Sequence, residues 1–147
     1  MPTPTPSPTP LVAPAAFLYV AAHDPSSVWV FALDGATGAL VAVPGDPFAA
    51  GDHPASVATH PNGYAYVANA ASDDISGFAI RSTGALGPLP SSPTSSGRGP
   101  VSLAVHPNGL FLYSANAGES PGTISAFSVD ESTGALHPLD GSPYTVG

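Results

Sequence analysis

The chain has 147 residues, 43% of them hydrophobic, which is enough for one domain with a real core and too apolar for wholesale disorder. Only 8% are charged: two arginines and no lysine face ten carboxylates, and the net charge of -8 repels phosphate backbones and argues against nucleic-acid binding. Nineteen prolines and 16 glycines predict frequent turns rather than long helices, and the absence of cysteine excludes disulfides and thiolate metal sites.

Residues 1–10, Met-Pro-Thr-Pro-Thr-Pro-Ser-Pro-Thr-Pro, lack the basic and apolar regions of a signal peptide and read as a disordered Pro/Thr-rich linker or stalk. The apolar run from Leu11 to Ala22 is shorter than the roughly 20 residues of a spanning helix, so no membrane insertion is expected. Its second half opens a repeat. Phe17-Leu-Tyr-Val-Ala-Ala22 returns as Tyr64-Ala-Tyr-Val-Ala-Asn69 and Phe111-Leu-Tyr-Ser-Ala-Asn116, with the central tyrosines 47 residues apart. His60-Pro-Asn-Gly63 and His106-Pro-Asn-Gly109 precede the later copies, and Thr37-Gly-Ala-Leu40, Thr83-Gly-Ala-Leu86 and Thr133-Gly-Ala-Leu136 close all three.

A period slightly above forty marks a solenoid, propeller or array. In the second copy, a small-residue strand at Ala55–Thr59 reaches an Asn62-Gly63 hairpin, expected to supply the positive φ angles of a tight turn. Tyr64–Asn69 returns antiparallel, Ile75–Ile80 forms a third strand with a close approach at Gly77, and Ala85–Leu89 forms a short outer strand. No segment keeps helical apolar spacing. The fold class is therefore all-β, with β-propeller blades of four antiparallel strands in an incomplete ring of about three blades, against roughly four to eight in a closed propeller. Blade 1 covers about 11–50 without a clear inner strand, blade 2 about 51–96 and blade 3 about 97–141, and 142–147 starts the connection to a further blade. Burying both faces of a blade needs neighbours on each side, so open blade faces predict self-association, including closure of a six-bladed ring by two chains.

From residue 17 to residue 147 these landmarks resemble the lactonase family of seven-bladed β-propellers, the group that includes bacterial 6-phosphogluconolactonase. The resemblance implies hydrolysis of a sugar-derived lactone on one face of the ring near its central channel. Relatives include a fungal cycloisomerase that makes a lactone. Members with Pro-Thr linkers look like secreted or surface proteins, which implies an extracytoplasmic or surface-tethered location, with a cytoplasmic one left open.

Residues shared by every copy serve the scaffold, so function is sought where copies depart from one another. The loops leading into the inner strands read Gly51-Asp52-His53-Pro54 and Gly97-Arg98-Gly99-Pro100. Asp52, His53 and Arg98 could serve as orienting carboxylate, general base and clamp for a developing carboxylate, and they are the candidate catalytic residues. His23-Asp24, Asp73-Asp74 and Gly118-Glu119 match no calcium-loop spacing, so neither a metal nor a cofactor is assigned. His60 and His106 repeat and read as turn-stabilising groups. Gly118-Glu119-Ser120-Pro121-Gly122 matches a nucleophile-elbow pattern, but Pro121 has no N–H for the oxyanion that this elbow must stabilise.

Two readings follow. One is a lactonase-like hydrolase whose catalytic groups are shared with blades beyond these, so that the chain alone is inactive. The other is a non-catalytic extracytoplasmic module that binds a carbohydrate-derived ligand or a protein.

Overall fold

The computed structural model describes Met1 and residues 16–146; apart from Met1, the expected linker and the window for an inner strand of the first blade lie outside the described residues. Three antiparallel sheets follow one another. The first holds β1 (Ala16–Ala22), β2 (Ser27–Leu33), β3 (Leu40–Ala42) and β4 (Phe48–Ala49); the second holds β5 (Pro54–His60), β6 (Tyr64–Asn69), β7 (Asp74–Ile80), β8 (Leu86–Pro88) and β9 (Thr94–Ser95). The third repeats the second as β10 (Pro100–Val105), β11 (Phe111–Asn116), β12 (Gly122–Val129), β13 (Leu136–Pro138) and β14 (Tyr144–Val146). The described strands form open blades of a β-propeller, and no described helix is long and apolar enough to cross a membrane.

The outer strand departs from expectation, because it is split in two. Both β8 and β9 pair with β7, at Phe78–Ile80 and at Asp74–Ile75, and a turn between them leaves the middle of β7 without a strand partner. A side chain fills that gap: Ser92 Oγ accepts the Gly77 N–H at 2.9 Å, as Ser142 Oγ accepts from Ala126 and Asp46 Oδ1 accepts from Val30 in the flanking sheets. Each of these residues precedes a proline, which cannot itself donate to the ladder. The same device recurs near the end of the described residues. Tyr144–Val146 pairs with Gly122–Ile124 and forms the second half of the third sheet's own outer strand.

The hairpin between β5 and β6 also differs in detail. Only Gly63 takes a positive φ, at +81°, while Asn62 does not; the Gly63 N–H donates to the His60 carbonyl and the Asn62 N–H to His60 Nδ1. The turn therefore rests on one positive φ, at Gly63, and on the two bonds that His60 accepts. Its Nε2 donates to the Gly109 carbonyl in the next sheet at 2.6 Å, which makes it a link between blades as well as a turn support.

Side chains alternate across each strand, so one face of a blade packs against the preceding sheet and the other against the following one. Val28, Val30, Val43, Ala65, Val67, Phe78 and Leu86 fill the first junction; Tyr66, Ile75, Leu89, Leu112, Phe127, Val129 and Leu136 fill the second. The recurring phrases meet here. Tyr19 donates to the Gly84 carbonyl and Tyr66 to that of Gly134, joining the Tyr phrase of one copy to the Thr-Gly-Ala-Leu turn of the next. A Cβ at Gly84 would collide with the Phe17 ring, and one at Gly134 would come within 2.8 Å of Tyr64 and Leu89. With no described blade before this sheet, Gly38 has nothing within 4 Å, and Leu18, Val20, Leu40 and Val41 are exposed.

Candidate functional site

At one end of the blades, the loop into each inner strand meets the loop joining the second and third strands. Gly51 permits the crossing, since a Cβ there would lie 2.6 Å from the Asn69 side chain and 2.7 Å from Ser72 Oγ. The next two residues are pinned through their backbones: the Asp52 carbonyl accepts from Ala71, the His53 carbonyl accepts from Ala70, and the Asp52 N–H donates to Ser72 Oγ. The third sheet repeats the pattern, with the Arg98 carbonyl accepting from Gly118 and the Gly99 carbonyl from Ala117. Asp52 and Arg98 are structural equivalents, as are His53 and Gly99.

The backbone at the second position is left-handed in both copies, with φ of +54° at His53 and +60° at Gly99. Glycine adopts this conformation freely, whereas a residue with a Cβ pays roughly 1–2 kcal/mol for it. The His53 ring lies against His23 of the preceding sheet, with centroids 3.8 Å apart and planes tilted by 43°. These two rings, with Asp24, Ser26, Asp52 and Ala71, line an open cavity of about 400 Å3 at the first blade junction.

The candidate set is therefore split. Asp52 and His53 share the cavity, while Arg98 stands one blade further on, outside its lining, with a guanidinium nitrogen 3.5 Å from the Glu119 carboxylate and both side chains exposed. At that second junction the place of a histidine is taken by Gly99, whose N–H donates to the Asp73 carboxylate at 2.8 Å. His23 and Ser26 join the site although neither was singled out as catalytic. His23 carries the signal that flagged His53, because the matching positions in the other copies are Ala70 and Ala117. Among the described residues no group of three or more His, Asp or Glu side chains is arranged to hold a metal ion.

Buried polar groups against the loop glycines Gly51 and Gly97 distinguish the second and third sheets. Asn69 Nδ2 donates to Asp74 and Ser76, which fixes the amide orientation and leaves its buried Oδ1 without a partner. The equivalent Asn116 Oδ1 accepts from the Ser96 and Ser114 hydroxyls. In the second sheet those serines are replaced by Ala50 and Val67.

Solved structures share this arrangement of blades. A 6-phosphogluconolactonase candidate from Bacteroides uniformis superposes with a TM-score of 0.77 at 23% identity over 88% of this chain and 37% of its own. A second, from Bacteroides fragilis, gives 0.77 at 21% identity, covering 88% and 36%. The periplasmic gluconolactonase PpgL of Pseudomonas aeruginosa gives 0.71 at 22% identity, covering 87% and 38%. At these identities the likeness shows the fold, and the chain spans well under half the length of each. No curated protein matches the sequence. The sequence model described as "Lactonase, 7-bladed beta-propeller" matches residues 11–97, more than half of the chain, and so the chain belongs to the lactonase family of seven-bladed β-propellers.

Proposed function

We propose that the cavity at the first blade junction is part of a site that hydrolyses a sugar-derived lactone. The observation that carries this reading is His53 itself, a side chain held in a left-handed backbone where the next copy uses glycine, with its ring against a second imidazole inside a cavity. Strain retained at one copy of a repeat and relieved at another marks a position kept for its side chain. In this role the His53 imidazole takes a proton from water as the water attacks the lactone carbonyl, and the proton returns to the ring oxygen as the C–O bond breaks and a hydroxy acid forms. Asp52 and Asp24 orient the imidazoles and accept from substrate hydroxyls. Arg98, tied to Glu119, acts at most from the neighbouring junction.

The family and the named neighbours support lactone chemistry, and the periplasmic neighbour supports an extracytoplasmic location. Acid release from glucono-1,5-lactone at constant pH tests the reading, in the chain and in a seven-bladed ring carrying these blades. Turnover above the spontaneous rate that falls at least tenfold in His53→Gly supports it, and turnover indifferent to that change overturns it. The tie between Arg98 and Glu119 favours a second reading, a ligand-binding module without catalysis, which predicts sugar binding with no turnover in either protein.

A further inference from the structure

We infer that this site takes an uncharged, hydroxyl-rich ring and discriminates against its phosphorylated counterpart; the inference rests on the lactone reading above. The cavity lining brings two carboxylates, Asp24 and Asp52, together with two imidazoles and the Ser26 hydroxyl. Further along the same rim come Asp73, whose carboxylate faces the Gly99 N–H, and Glu119, which is paired with Arg98. Arg98 is the cation on this rim, and Glu119 offsets its charge. Arg81 lies at the far end of β7 from these loops, with its guanidinium against Gly87 of the outer strand.

Carboxylates accept from sugar hydroxyls without changing the net charge of the complex. A phosphate dianion in the same cavity would add two negative charges beside Asp24 and Asp52. Even at water-like screening, each like-charge pair a few ångströms apart weakens binding several-fold, so the pairs together cost about tenfold or more. The net charge of -8 acts in the same direction on the approach of a charged ligand. Within one fold family this charge pattern separates a site for plain sugar lactones from one for sugar-phosphate lactones.

The test is binding to the 147-residue chain, followed through the imidazole C–H resonances of His23 and His53, with glucono-1,5-lactam as the neutral, non-hydrolysable probe and glucose 6-phosphate as the charged one. The lactam is expected to shift both histidines and to bind at least tenfold more tightly, with the gap narrowing in Asp52→Asn and in 0.5 M salt. Glucose 6-phosphate binding as tightly as the lactam, or a gap unmoved by Asp52→Asn, overturns the charge selectivity and leaves the lactone reading standing. Resonances unmoved by either probe, in the chain and in a seven-bladed ring carrying these blades, overturn both.

Discussion

The Tyr66 hydroxyl lies buried, 2.8 Å from the carbonyl of Gly134, and so joins the strand phrase of one blade to the closing turn of the next. Burial pushes this phenol well above its ordinary value of 10, with the neighbouring Tyr64 adding to the shift. Because the folded form holds its proton more tightly than the unfolded chain, the associated stability is complete below pH 10 and is lost as pH rises beyond it. Tyr66→Phe is expected to cost about 1–2 kcal/mol at pH 7, by leaving the Gly134 carbonyl unpaired, and to flatten the loss of stability above pH 10. Denaturant melts at pH 7 to 11 check both, and identical alkaline profiles for the two proteins would refute the assignment.

Ser92 stands in for an absent strand by accepting from the Gly77 N–H. Ser92→Ala should leave that donor unpaired and destabilise the chain by about 1–2 kcal/mol, with Ser92→Asp recovering part of the loss because Asp46 makes the same bond in the first sheet. Urea midpoints of the three proteins decide this, the expected order being wild type, Asp, Ala.

The orphaned oxygen of Asn69 invites repair. Ala50→Ser copies Ser96 of the next repeat and should supply the missing donor, raising stability by about 1 kcal/mol. A melting temperature that stays level or falls would show that the serine cannot reach the amide as Ser96 reaches Asn116.

His53→Gly should stabilise the fold by about 1 kcal/mol while weakening lactam binding. The opposed signs separate a side chain kept for its chemistry from one kept for packing. A variant that loses stability along with binding would make His53 structural.

The exposed Leu18 and Val20 occupy the face that Ala65 and Val67 bury one blade later. The 147-residue chain is expected to self-associate with rising concentration, and Leu18→Asp to reduce that association without lowering the melting temperature. Light scattering across a hundredfold concentration range measures it; a monomer throughout, in both proteins, would refute the expectation.

Much of the architecture was legible because the repeat is visible as text. The tyrosine phrases and the Thr-Gly-Ala-Leu turns gave period, strands and family. Repetition does not reveal contact, however, and nothing in the spacing says that Tyr19 reaches Gly84 rather than a residue of its own blade. The split outer strand was hidden because Ser92-Pro93 reads as an ordinary turn, whereas its hydroxyl takes a strand's place. The site was half visible. Departures between copies flagged Asp52, His53 and Arg98, but the two positions of the loop are held differently. The backbone of the first is tied to its own sheet, as the Asp52 N–H is to Ser72, while its side chain differs by copy: Asp52 lines the cavity and Arg98 pairs with Glu119. The second leans on the preceding sheet, as His53 does on His23 and Gly99 on Asp73. That division depends on how one blade is laid against another, which alternation along a single strand cannot convey.

The fastenings between blades share a polarity. Tyr19, Tyr64, Tyr66, His60, Ser56 and Asp73 each bond the backbone of the following blade, and among the described residues no side chain of a later blade bonds the backbone of an earlier one. The hydrogen bonds to main chain at each seam are thus written on its upstream partner, while the apolar packing draws side chains from both blades. A duplicated blade inserted downstream meets these bonds with main chain alone, provided that it keeps the apolar side chains that fill the junction. Such one-sided authorship lets an array of this kind lengthen by copying while its mouth diversifies.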